Sequence, residues 1–100
     1  METILCAAIY FDDGKTYTHI PRNIKTGFVV TGYRHCDCYQ ICYIFDQERE
    51  YLKIKVEEGF LTNKKRFVDR EEAFKIAKNA NQIKDLEKSR NNILFSEDLY

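Results

Sequence analysis

A chain of 100 residues bounds one domain, residues 1–100, that can fold alone with little stability to spare, so oligomerisation would be a natural supplement. Its 16 basic and 16 acidic residues cancel, which removes the broad positive field of a duplex nucleic-acid binder. A composition 44% hydrophobic, with seven Tyr and seven Phe, excludes disorder over most of the length.

No apolar run approaches the ~20 residues that span a bilayer, and Met1-Glu2-Thr3 is not the basic start of a leader, so no membrane partner and a cytoplasmic location are expected. In that compartment Cys6, Cys36, Cys38 and Cys42 read as reduced thiols rather than as a disulfide framework.

Residues 3–11 are apolar on both alternating faces, with Ile4, Cys6, Ala8 and Tyr10 on one and Leu5, Ala7, Ile9 and Phe11 on the other. This is the pattern of a strand covered on both sides. Asp12-Asp13-Gly14-Lys15 reads as a hairpin turn, after which Lys15 to His19 is expected to return as the partner strand. Pro21-Arg22-Asn23 breaks that pairing, Lys25-Thr26-Gly27 turns again, and Phe28 to Tyr33 supplies a third strand.

The stretch Gly32-Tyr33-Arg34-His35-Cys36-Asp37-Cys38 then gathers a cation, an imidazole, two thiols and a carboxylate at a strand-to-helix junction. Asp37 followed by Gln40 has the form of a capping box. The apolar residues Cys38, Ile41, Cys42 and Phe45 fit a helix, whereas Tyr39, Ile41, Tyr43 and Phe45 fit a strand equally well. The cap favours the helix.

The polar run Asp46-Gln47-Glu48-Arg49-Glu50 closes that element, and Tyr51 to Val56 alternates as a short strand with a wet face. Residues 59–68 read as a short hairpin or structured loop around Asn63. Asp69 with Glu72 is a second capping box, opening the clearest helix, whose apolar stripe is Ala73, Ile76, Ala77, Ala80 and Ile83. Beyond Gln82 the segment to Asn92 is polar and expected to fray, while the apolar residues of Leu94 to Tyr100 are expected to dock, on their own subunit or a neighbour. The fold class is α+β: an antiparallel β-sheet meander with one short central helix and a longer C-terminal helix packed on it.

Three constellations carry chemistry. Arg34 and His35 at the first helix entry, and Arg66 and Arg70 at the second, lie beside aromatics (Tyr33 and Tyr39; Phe60 and Phe67). That combination suits a ligand with phosphates and a base. Against it, Asp37 and Asp69 would already occupy the helix N–H groups, and the arginines could be ordinary surface cations paired to Glu71 or Glu72. His35, Cys36, Cys38 and Cys42 invite a zinc site, but Cys-x-Cys must turn both thiols inward, and buried small thiols are the plainer reading. His35 beside Cys38 suggests a cysteine nucleophile, yet no oxyanion device or orienting third residue accompanies it.

Three strings together resemble a known group: Gly32-Tyr33-Arg34-His35 through Cys38; Gly59-Phe60-Leu61-Thr62 with Arg66-Phe67-Val68-Asp69-Arg70-Glu71-Glu72-Ala73; and Ser96-Glu97-Asp98-Leu99-Tyr100. They resemble small phage and prophage proteins, a group similar to the phage-encoded Thoeris anti-defence sponges, which bind cyclic nucleotide immune signals without cleaving them. The resemblance runs from Ile4 to Tyr100. It implies a non-enzymatic, homo-oligomeric protein of the host cytoplasm, without a cofactor or metal, whose pockets lie where subunits meet. The ligands implied are cyclic ADP-ribose isomers or cyclic oligonucleotides. On chemistry, the candidate ligand-binding residues are Arg34, His35, Phe60, Asn63, Arg66, Phe67 and Arg70. Two alternatives stand beside this reading: a protein-interaction module using sheet edges and the C-terminal segment, and a zinc or cysteine site.

Overall fold

A computed structural model describes residues 1–88 and 92–100. Four strands, β1 (Ile4–Asp12), β2 (Phe28–Gly32), β3 (Lys55–Thr62) and β4 (Phe67–Asp69), form one antiparallel sheet in the order β2-β1-β3-β4. Two helices, α1 (His35–Phe45) and α2 (Arg70–Asn79), pack on one face, giving the α+β class expected. Short 3-10 turns occupy Glu50–Lys53, Leu86–Lys88 and Ser96–Asp98.

β1 lies inside the sheet and is covered on both faces. Ala7, Ile9 and Phe11 are fully buried beneath the helices, and Ala8 is fully buried on the opposite face. A bulge between Ile4 and Cys6 shifts the alternation, which lets Ile4 join the same core as Ala7 and leaves Leu5 exposed.

The opposite face is covered by a loop where a strand was expected. Asp12 and Asp13 accept the N–H groups of Gly14 and Lys15, so the chain bends here, but not into the hairpin turn expected. Lys15 to His19 does not pair, however, and the returning strand starts only at Phe28. The intervening residues cross the sheet instead. Pro21 is buried, Arg22 N–H donates to the Lys65 carbonyl (2.9 Å), and the Asn23 amide bonds both main-chain groups of Phe67 (2.8 and 2.6 Å). Gly27, with φ of 89°, closes the loop through its N–H to Lys15 (2.8 Å). A Cβ there would overlap the Phe11 carbonyl oxygen, so only glycine fits.

Nor is the sheet a sequential meander. The β2–α1–β3 connection passes over the helical face and sets β3 on the free edge of β1, so β3 pairs with β1 rather than β2. Residues over 37–46 are helical, and α1 starts earlier than Asp37: Arg34 is its N-cap, and the Asp37 carboxylate, in the third position, accepts the Arg34 N–H (3.0 Å). Asp37 is thus not the cap itself but the residue reaching back to it. Cys38 and Cys42 point into the core. Tyr51 to Val56 is strand only from Lys55, because Arg49 adopts left-handed backbone (φ 58°) and Asp46 accepts the Tyr51 N–H (2.9 Å), winding Glu50–Lys53 into a turn.

Asp69 caps α2 as expected, accepting the Glu72 N–H (2.8 Å), and Ala73, Phe74, Ile76 and Ala77 are buried. This helix has 10 residues against 11 for α1, so the C-terminal helix is not the longer one. It stops because Asn81 turns left-handed (φ 57°) while Asn81 and Gln82 N–H groups bond back to Lys78 (3.1 Å) and Ala77 (2.8 Å), a Schellman ending. Ile83, expected on the stripe, lies past that stop. Gln82 then pairs with both main-chain groups of Ile4 (2.7 and 2.8 Å). Of the segment expected to fray, residues 89–91 lie outside the described residues. Leu94 and Ser96 are buried, so the tail docks on its own chain.

Candidate ligand-binding site

Four of the seven candidate residues meet where the two helices begin. The first residue of α2, Arg70, donates to Glu58 on β3 (2.7 Å) and to the Leu94 carbonyl (2.8 Å), with its guanidinium 4.7 Å from the Phe95 ring. The second oxygen of Glu58 accepts the Tyr39 hydroxyl (2.7 Å). His35 donates Nε2–H to the Gly59 carbonyl (2.8 Å) and sets its ring edge-on to the fully buried Phe60 (5.1 Å). Burial lowers its pKa, so the imidazole is held neutral.

Arg34 lies beside the paired rings of Tyr33 (5.2 Å) and Tyr100 (5.4 Å), whose centroids are 4.2 Å apart. Its Nη2 donates to a Tyr100 main-chain oxygen, and the Tyr100 hydroxyl donates to the Tyr33 carbonyl. Its Nη1, 3.9 Å from Glu97, is the buried side-chain donor left without a hydrogen bond among the described residues. These cations clasp the C-terminal segment to the helix starts.

The other three candidates lie elsewhere. Arg66 forks onto Glu2 (2.8 and 2.8 Å) and approaches Glu72 (3.6 Å); its hydrogen bonds hold the Glu2 carboxyl down to about 2. Asn63 fixes the first residues by accepting the Thr3 N–H (2.7 Å) and donating to the Met1 carbonyl (3.2 Å). Phe67 is buried on β4, packed against Tyr10 (5.6 Å).

The thiols do not converge. Cys36 is exposed, Cys38 and Cys42 are buried, and among the described residues no three metal-binding side chains form a group. Burial pushes the Cys38 thiol up to about 12 and raises Cys42 and Cys6, which keeps all three protonated rather than nucleophilic.

A place the sequence did not signal is the open cleft between one flank of α1 and the turn Glu50–Lys53. Cys36, Tyr39, Gln40 and Tyr43 face Arg49, Tyr51 and Leu52 across about 540 Å3. The Arg49 guanidinium stands 5.5 Å from the Tyr43 ring and is paired with no carboxylate among the described residues. Tyr39 stays a phenol, its pKa raised by burial and by Glu58. Three tyrosines, an amide and an unneutralised arginine can stack a planar group and fork onto an anionic one. The left-handed turn at Arg49 brings this cation back over α1, and nothing in the polar run 46–50 marks it in advance.

No curated protein matches this chain, and no solved structure does. The family model of the phage T4 y16D protein matches residues 3–100, from the first strand through the docked tail. The resemblance to small phage proteins therefore holds at that level: the chain belongs to the phage T4 y16D protein family.

Proposed function

We propose that this member of a phage protein family is a binding protein that sequesters a small planar anion of the nucleotide class, a cyclic nucleotide signal, without transforming it. The observation that carries the reading is the cleft of about 540 Å3 in which Arg49 stands unneutralised among Tyr39, Tyr43 and Tyr51. Its volume lies in the ~300–1,000 Å3 range of small-molecule sites, and a base stacked on an aromatic contributes ~1–3 kcal/mol. The arginines at the helix entries suit this role less well, because Glu58, Glu97, Glu2 and Glu72 already face them. His35 and Cys38 are turned to the Gly59 carbonyl and the core, which supports binding without chemistry.

Thermal-shift screening of the full chain against cyclic ADP-ribose isomers and cyclic di- and trinucleotides tests the reading. A ligand at 100 times its Kd should stabilise by about 2.7 kcal/mol, Arg49→Ala should weaken binding at least ~10-fold, and heat should release the ligand unchanged. A flat screen, or recovery of an altered nucleotide, overturns it. A second reading, a protein-interaction module, is favoured by Ile44 and Phe45 of α1, which are 56% and 86% exposed. A flat screen together with a stable protein complex would favour that one.

A further inference from the structure

The sheet has two outer edges, and only one is finished. At β4 the strand is three residues long, and the Asn23 side chain supplies both a donor and an acceptor to Phe67, occupying the outward main-chain groups as a further strand would. At β2 nothing comparable is present among the described residues. This strand, Phe28-Val29-Val30-Thr31-Gly32, pairs with β1 on one side only. It carries no lysine, no proline and no charge, the devices by which exposed edges are kept apart.

Directly beside this edge runs an apolar groove of about 200 Å3, walled by Phe28 and Val30 of β2 and by Ile41 and Phe45 of α1. Its one charged lining residue, Asp46, is turned to its own chain by the Tyr51 N–H. With Ile44 on the adjoining surface, the helix exposes on the order of 400 Å2 of large apolar side chain, within the ~300–600 Å2 of a monomer's largest, often functional, patch. That is about half of the ~800 Å2 each subunit gives to a standard interface, and five residues of edge backbone supply much of the remainder.

We infer that the occupant is a second copy of this chain, joined β2 to β2 about a two-fold axis. Antiparallel self-pairing continues the sheet across the axis and leaves both α1 helices on the same face, each beside the other's groove. The strand brings no like charges opposite one another, and a formal net charge of zero gives two copies no long-range repulsion. The surface lies on the flank of α1 opposite the Tyr43 and Arg49 cleft, so this pairing does not depend on the ligand reading.

Sedimentation of the full chain without ligand tests it. A dimer at micromolar concentration is expected. Phe45→Asp, at a side chain the monomer does not bury, and Thr31→Lys, at an exposed edge position, should each raise the dimer Kd at least ~30-fold with unchanged circular dichroism. Amide exchange along β2 should be slow in the dimer and fast in either variant. Arg49→Ala, which tests the cleft, should leave the dimer intact. A wild-type monomer, or a dimer indifferent to both variants, overturns the proposal.

Discussion

α2 meets water with Glu71, Glu72, Lys75 and Lys78 and buries Ala73, Phe74, Ile76 and Ala77, whereas α1 buries only Cys38 and Cys42 and turns Ile41, Tyr43, Ile44 and Phe45 outward. One helix has a core side and a solvent side. The other has a core side and two flanks, an aromatic cleft on one and an apolar groove on the other. A helix apolar nearly all round is a buried helix. On the surface of a small sheet, such a helix carries both of the proposed binding surfaces, whereas α2 is structural.

The largest test of that contrast is a pair of truncations. Phe74→Ala in α2 removes a buried ring and should cost about 3 kcal/mol in urea unfolding. Phe45→Ser in α1 should change monomer stability by no more than ~0.5 kcal/mol. Equal losses at every protein concentration would show that α1 is as structural as α2.

A smaller difference is expected at the caps. Asp69→Ala removes an acceptor from the Glu72 N–H and should cost about 1 kcal/mol. Asp37→Ala loses only the reach back to the exposed Arg34 N–H and should cost about half as much. Thermal melts of the two variants compare them directly, and a reversed order would make the α1 entry the better anchored.

The smallest effect is set by pH. His35 opens α1, and burial lowers its folded pKa below the ordinary 6.5. The unfolded chain therefore takes up its proton first. Stability is complete above the ordinary value and declines as pH falls through it toward the folded value. Urea titrations across that window should show the decline, and His35→Gln should flatten it. An unchanged slope in the variant would assign the titration to another group.

What could be read from the sequence was whatever neighbouring residues decide. Asp69 and Glu72 announced α2, the two-faced apolar run announced β1, and the spare apolar residues of Leu94 to Tyr100 announced docking. The sheet order was not local, since it depends on where α1 carries the chain before β3. The expected second strand failed because Asn23 pairs with Phe67, 44 residues away, through a side chain that no periodicity records. The candidate arginines were legible as cations but not as clasps: Arg66 finds Glu2 at a separation of 64 residues, and Arg34 finds Tyr100 at 66. Arg49 escaped notice because a single left-handed residue, not its neighbours, aims it into the cleft.

The Asn23 amide also sets a chemical clock on the β4 edge. Its Oδ1 accepts the Phe67 N–H and its Nδ2 donates to the Phe67 carbonyl, and only an amide can do both. Deamidation would keep the acceptor and replace the donor with a negative oxygen facing that carbonyl. One hydrolysed side chain would thereby convert the finished edge into a second open one, and if copies pair through β2 as inferred, Asn23→Asp protein should grow beyond dimers into longer assemblies.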